Sequence, residues 1–532
     1  MAIKVGGTEV ITNARQLSNI ASVDATTVAA LGTAGVGGGN TFEATASGAL
    51  ANGDPVIINA NGTVSKPALT ISANDPATFG YSSNSNQGTT INGTGQTQGL
   101  SAAYNSNSGT TGAGAFLVTF RDASASDALK GNMMTVRTDG ELNVEGEFSI
   151  GGETVEGNRA TDVCFNEPLN IFFIAYRKKA SDTVSVRALT PNGARTVSGG
   201  SAYTIKTDTL APRIATDNND NPYNFVVTFL ESNNSALMAK PFQYNSSNGV
   251  ITVGSEVTIE SSSCAGGHHI VYDSTNDKFI VTYANTGDNK NIKTKVITFD
   301  GSGNSLSVGS EVELSSVSVG DFNFGTVFTT SGKTVIAMKD EDNSNYLTTA
   351  IFTTSGTGGS FSSTQVAVSQ DVDNVSIGYD DNTNRVGIAF KNGGVTNTVT
   401  NFTTASVGAS SLTFQSSSPA SLGTTNSEKG SARMPFSGTN VGTTLDTART
   451  GDNKLLVVFT TQGDYGRVNI ANLGSTSTSL TSTNYIGISD AAYSDGQTAT
   501  VQTMGAIDDA QSSLTPAAKQ YVQKDGTIGS SA

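Results

Sequence analysis

The sequence predicts an all-β protein: a β-propeller of about seven blades inserted into a small β domain and preceded by an N-terminal assembly arm. Three observations predict it. A short, almost wholly apolar strand recurs seven times at a near-constant interval through the middle of the chain. Two similar hairpin signatures stand outside that series, one on each side. The 532 residues include 59 Gly, no Trp and only 14% charged residues, with Ser, Thr and Asn filling much of the remainder. That composition favours turns over helices, and the length implies more than one core.

The recurring strand is seen at Phe116–Phe120, Phe172–Tyr176, Phe225–Phe229, Phe279–Tyr283, Thr334–Met338, Val386–Phe390 and Leu455–Phe459. Successive end positions lie 56, 53, 54, 55, 52 and 69 residues apart, and a Ser/Gly/Thr-rich insertion near residues 417–433 absorbs the long last interval. Dense apolar groups such as Phe225-Val226-Val227-Thr228-Phe229 bury area that a disordered polar chain lacks. Around each one a larger unit is legible. Phe165-Asn166, Tyr272-Asp273 and Tyr379-Asp380 each stand seven residues before a recurring strand, where the Asn or Asp side chain supplies acceptors for a tight turn. Gly254-Ser255-Glu256-Val257 returns 55 residues later as Gly309-Ser310-Glu311-Val312. Four strands fit each period, and a four-stranded sheet with one strand buried on both faces suits a propeller blade; a β-solenoid is the structural alternative, with shorter coils as a rule.

Outside the repeats, Gly53 to Val64 and Lys519 to Ile528 each read as a short strand, an Asn-Gly or Asp-Gly pair and a β-branched pair. That dipeptide suits a type I′ turn, so both read as hairpins. Tyr485-Ile486-Gly487-Ile488 and Thr500 to Met504 add strands on either side of Ser494-Asp495-Gly496. Neither flank holds a core alone, so residues 41–66 and 484–532 are expected to form one split domain around repeats spanning 67–483. Residues 1–40 form the arm. Its apolar residues Ile3, Val5, Ile11, Leu17 and Ile20 are too few to fold unaided and are the candidate assembly residues, meeting their copies about a symmetry axis in a homotrimer.

The arm from Ile3-Lys4-Val5-Gly6-Gly7 through Asn13-Ala14-Arg15-Gln16-Leu17 to Asp24 resembles the N-terminal segment of tail-fibre-like structural proteins of marine cyanophages and related tailed phages. The tail, from Gly496-Gln497-Thr498-Ala499-Thr500-Val501 through Leu514-Thr515-Pro516 to Tyr521-Val522-Gln523-Lys524-Asp525-Gly526-Thr527-Ile528, is similar to a small module that recurs in virion proteins of those phages. It departs from that module at Ala517-Ala518-Lys519, where Gly-Gln-Lys is usual. The resemblance implies an appendage virion structural protein with propeller-like repeats, made in the host cytoplasm and partnered by other virion proteins.

Residues that could carry chemistry are few. Sialidase-type hydrolysis needs an arginine cluster, a tyrosine nucleophile and Trp-bearing Asp boxes, and the chain has no Trp. The two histidines, His268 and His269, are adjacent, so on a strand they point to opposite faces and only one can join Cys264 at a metal. Cys164 and Cys264 read as reduced thiols of a cytoplasmically made protein. The acidic turns Asp217-Asn218-Asn219-Asp220-Asn221 and Asp340-Glu341-Asp342-Asn343 lack the EF-hand spacing and read as turn chemistry. The expectation is therefore no catalytic residue, metal or cofactor, with the binding residues left unassigned.

A net charge of −15 repels phosphate backbones and anionic lipid, which argues against nucleic acid as a partner. The chain has no apolar run of signal-peptide or membrane-spanning length, which argues against secretory export and membrane insertion. The expected function is a fibre- or spike-like virion appendage displaying the propeller for binding a host-surface glycan or protein. The alternatives are a head decoration or fibre protein with no receptor role, and a polysaccharide-degrading propeller enzyme of a tailspike.

Overall fold

A computed structural model of the chain describes residues 3–5, 8–11, 41–71, 78–80, 89–92, 95–105, 115–136, 142–157, 161–192, 196–217, 223–233, 235–261, 263–264, 267–300, 304–380, 383–393, 400–416, 418–421, 454–460, 466–473, 476–503, 511, 519–522 and 526–529. Among them the regular elements are strands, apart from two single-turn 3-10 helices, Ala123–Ala125 and Glu341–Asn343. No helix of the described residues is long and apolar enough to cross a membrane. The chain divides into two compact units, residues 70–477 and residues 1–69 with 478–532.

The larger unit is a succession of seven antiparallel sheets, I to VII, in which sequence neighbours pair from one edge to the other. Sheet I holds Thr97–Tyr104, Ala115–Asp122 and Ala128–Val136, with Leu142–Val144 and Phe148–Thr154 sharing its outer edge. Sheet II holds Thr161–Asn166, Ile171–Lys178, Thr183–Asn192 and Thr196–Lys206. Sheets III to VI repeat the pattern from Thr209–Thr216 to Ala420–Ser421. Two long strands serve two sheets each: Val312–Thr329 leaves the outer edge of sheet IV to become the first strand of sheet V, and Gln365–Asp380 does the same from V to VI.

The recurring apolar strand is the second strand of sheets I to VI and, among the described residues, an edge strand of sheet VII, and its period-two geometry explains its composition. Phe116, Val118 and Phe120 enter one hydrophobic cluster, whereas the alternating Ala115 and Leu117 enter another, shared with sheet II. In sheet II, Phe172, Ile174 and Tyr176 face sheet I while Ile171, Phe173 and Ala175 face sheet III. A strand sandwiched between neighbours has little room for polar side chains on either face, and full burial of each Val, Leu, Ile or Phe contributes about 1.5–3 kcal/mol. The same two-sided packing links III with IV, IV with V, V with VI and VI with VII.

The series closes on itself. Leu456, Val458, Val468 and Ile470 of sheet VII share a cluster with Leu100, Phe116 and Phe120 of sheet I. Sheet VII is itself assembled from both ends of the unit: Lys454–Thr460 and Gly466–Asn472 are completed by Thr78–Gly80 and Thr89–Asn92, with Ile91 buried in the closing cluster.

The smaller unit is built around a five-stranded sheet ordered Thr41–Thr45, Thr498–Gln502, Tyr485–Ser489, Pro55–Ile58 and Val64–Ser65. A parallel bridge between Ala46 and Val64, with Ser47 N donating to Val64 O at 2.7 Å, joins its two ends. Leu50, Val56, Val64, Ala499 and Val501 fill the interior. The unit boundary falls at residues 69/70 and 477/478, where sequence reading places it at 66/67 and 483/484. Backbone and side-chain hydrogen bonds join Ala68 to Ser479 across the two extra segments, and Asn484 Nδ2, donating to Ser479 O at 2.7 Å, ties them to the smaller unit. The Asn61-Gly62 turn also differs from expectation. Only Gly62 has positive φ (82°), and Gly62 N donates to Asn59 O while Asn59 N donates to Thr63 O, so the loop is a type I turn closed by a left-handed glycine, not type I′. Gly526 is needed on two counts: its φ is 79°, and a Cβ there would meet Pro67 O at 2.5 Å, so the C-terminal hairpin turns directly on the Lys66-Pro67 segment.

In the arm, Ile3–Val5 pairs with Thr8–Ile11, Ile3 opposite Ile11. Leu17 and Ile20 lie outside the described residues.

Candidate functional site

The residues that sequence marks as chemically capable sit in structural roles. Cys164 lies on the first strand of sheet II and Cys264 in the cluster between sheets III and IV; neither is in a disulfide. Burial pushes the Cys164 thiol well up and Cys264 to about 12. His268 and His269 open sheet IV on opposite faces, His268 fully buried and His269 edge-on to Phe324 of sheet V at 5.0 Å between centroids. Asp217 accepts from Asn224 Nδ2 at 2.8 Å, and the rest of its acidic turn, residues 218–221, lies outside the described residues. Asp340 precedes the 3-10 turn Glu341–Asn343, and Asp342 accepts from Ser318 N at 2.7 Å. No group of three or more His, Cys, Asp or Glu among the described residues could hold a metal ion.

Among the described residues, several charged side chains instead fasten one sheet to the next or brace a single sheet. Asp162, on the first strand of sheet II, accepts from Ser101 Oγ of sheet I at 2.9 Å and from Ile214 N of sheet III at 3.0 Å, so one carboxylate spans three sheets. Farther out, Glu153 of sheet I receives Arg187, Lys178 and the Tyr176 hydroxyl of sheet II. Lys240 of sheet III donates to Ile205 O of sheet II, and Lys295 of sheet IV to Ile259 O of sheet III at 2.6 Å. Sheet IV adds a network in which Lys293 meets Asp288 at 2.8 Å and Glu311 at 2.9 Å, while Tyr283 donates to Glu311 at 2.5 Å. Burial, then the Glu311 hydrogen bond, raises the Tyr283 hydroxyl far out of range of neutral pH. Burial acts to raise Glu311, but donation from Tyr283 and Lys293 outweighs it and holds the carboxyl below its usual range.

The smaller unit carries a concavity of a different kind. A recess of about 590 Å³ is lined by Ser47, Gly48, Asn59, Asn61, Thr63, Ser65, Lys66 and Ser479, with Ala49, Ala60 and Ala68 among them. The turn between Pro55–Ile58 and Val64–Ser65 fixes its polar wall: Asn59 Nδ2 donates to Thr63 Oγ1 at 3.0 Å, Thr63 Oγ1 to Asn61 Oδ1 at 2.8 Å and Ser65 Oγ to Asn59 Oδ1 at 3.2 Å. Lys66 is held by Asp54 at 2.6 Å, and Asp54 in turn accepts from Ala51 N. Sequence reading left the binding residues unassigned. The Asn-Gly signature located this turn, but the contribution of Ser479 arises only because the chain returns to Ala68 after the repeats.

No family profile matches the chain, and no curated protein matches it. Among solved structures, it is similar to AofleA from Arthrobotrys oligospora (11% identity, 68% of this chain and 92% of that one, TM-score 0.37). It is similar to the Aleuria aurantia lectin in complex with Fucα1-6GlcNAc (11% identity, 63% and 99%, TM-score 0.40). It is also similar to the polysaccharide lyase Uly1 (10% identity, 81% and 99%, TM-score 0.40).

Proposed function

We propose that this chain is a non-enzymatic structural component of a tailed-phage virion, an appendage that displays a seven-bladed β-propeller for binding a host-surface glycan or protein. The observation that carries the propeller is the closure of the sheet series, with sheet VII completed by strands from the opposite end of its unit and packed on sheet I. Such closure leaves only short edges and a rigid scaffold on which loops vary. The scaffold role is supported by the use of Asp162, Glu153, Lys240, Lys295 and Glu311 as sheet-to-sheet and within-sheet fasteners. The virion assignment is supported by the resemblance of the arm and of the C-terminal module. Copies of the arm join three chains through Ile3, Val5, Ile11, Leu17 and Ile20, with other virion proteins as further partners.

Two measurements test the proposal. Gold-labelled antibody against the purified chain is expected to mark an appendage of the particle, and particles without label overturn the virion role. Incubation with envelope polysaccharide of a marine cyanobacterium is expected to give binding without chain shortening. Release of shorter oligosaccharides overturns the non-enzymatic reading in favour of a tailspike depolymerase.

A further inference from the structure

We infer that the recess between the Asn59–Thr63 turn, Lys66 and Ser479 binds a neutral saccharide. The inference rests on reading the chain as a surface-binding protein and assigns the contact to the smaller unit. The volume, about 590 Å³, falls within the range of about 300–1,000 Å³ typical of small-molecule sites. Its lining excludes most ligand classes. A lipid chain needs a continuous apolar wall, and here the apolar carbons, those of three alanines among them, are interleaved with hydroxyl and amide groups, as the C–H and O–H surface of a sugar would require. A nucleic acid or polyanion needs several cations, whereas the recess has one, already paired with Asp54, in a chain of net charge −15.

What the lining offers is a set of hydroxyls and amides at fixed positions, the complement of a ligand whose surface is hydroxyl. The hydrogen bonds among Asn59, Asn61, Thr63 and Ser65 set those side chains before any ligand arrives, which lowers the ordering cost of binding. Asn61 Oδ1 accepts from both N and Oγ1 of Thr63, so the Asn61 amide nitrogen is the group left to donate to a ligand. Ser479 Oγ, also in the lining, accepts from Ala68 N at 2.8 Å and is held in place by it. Lys66 adds a donor to the lining, and the balance of its charge by Asp54 favours a neutral saccharide over a uronate.

The test uses the full-length chain and isothermal titration calorimetry with maltotriose, mannotriose and chitotriose, and with trigalacturonate as the acidic control. At least one neutral trisaccharide is expected to bind, and more tightly than trigalacturonate. Asn61→Ala is expected to weaken it by about tenfold, the equivalent of one lost hydrogen bond. Ala60→Trp, at an exposed turn position on the recess wall, is expected to abolish binding while leaving the unfolding midpoint unchanged, which keeps the test valid if Asn61→Ala disturbs the turn. Absence of binding by all three neutral probes, or wild-type affinity in Ala60→Trp, overturns the inference. Ala60→Trp protein that still adheres to cyanobacterial envelope polysaccharide as the wild type does removes the recess as the site and leaves the proposed function standing. Wild-type protein that binds the trisaccharide but labels no particle separates the two in the other direction.

Discussion

If the strands at residues 78–92 close the ring rather than decorate it, removing a single buried side chain from them must cost as much as a core deletion elsewhere. Ile91 is the residue to test, being 5% exposed and packed in the cluster that joins sheets VII and I. Ile91→Ala removes three buried carbons, worth about 0.8 kcal/mol each in transfer free energy, and leaves a cavity whose lining by Leu456, Val458 and Val468 relaxes only in part. The total expected loss is about 2.5–4 kcal/mol. Val366→Ala, on a side chain 42% exposed, serves as the control and should change stability by less than about 0.5 kcal/mol. Equilibrium urea unfolding, followed by tyrosine fluorescence, gives both values from the shift in midpoint at constant slope. The fluorescence suits the chain, which has 14 Tyr and no Trp. An Ile91→Ala loss no larger than that of the control would refute the closure, since it would mean that the strand adds nothing to the VII–I interface.

Three further outcomes are expected. Glu311→Gln should flatten the acid limb of the stability profile: the folded Glu311 carboxyl lies below its usual value, so its contribution is present above the unfolded pKa of about 4.3 and is lost as pH falls through the folded value. Urea midpoints measured between pH 6 and pH 3 check it, and an unchanged acid limb would contradict it. Asp162→Ala should cost about 1.5–3 kcal/mol by leaving Ile214 N without its acceptor, whereas Asp162→Asn should recover part of the loss through its remaining carbonyl oxygen. Deleting residues 1–40 should turn a trimer into a folded monomer by light scattering, and a truncated protein that remains trimeric would place the interface elsewhere.

The parts of this fold legible in the sequence are those where packing dictates composition. A strand sandwiched between two sheets has no polar option except a small hydroxyl such as Thr119, Thr228 or Thr282, so the recurring strand announces itself seven times. The turn after the first strand was only half legible. Asn166 and Asp273 end their strands buried, accepting from backbone N–H groups two or three residues on, as their spacing suggests. Sheet V puts Thr329 at the same place, where its Oγ1 accepts from Lys333 N and donates to Lys333 O. In sheet I the first strand is followed by Asn105, buried and donating through Nδ2 to Asn170 Oδ1 between the first two strands of sheet II; the turn beyond it lies outside the described residues. A hydroxyl and an amide can each satisfy the buried turn there, and that chemical equivalence hides the repeat from any search for one residue type. The closing strands were hidden for the converse reason. Thr78–Gly80 and Thr89–Asn92 pair with Gly466–Asn472 on the side away from the recurring strand, and in Thr89–Asn92 one buried apolar residue is enough. Of the four residues Thr89–Asn92, Ile91 is the one whose type records the burial, and a single isoleucine among Ser, Asn, Gly and Thr has no period to betray it. The recess is the same case carried further: its polar wall reads as an ordinary turn until Ser479, more than 400 residues along the chain, is bonded to Ala68 beside it. A site made from turn residues and a distant return strand leaves its record in topology, and topology is what strand periodicity alone does not encode.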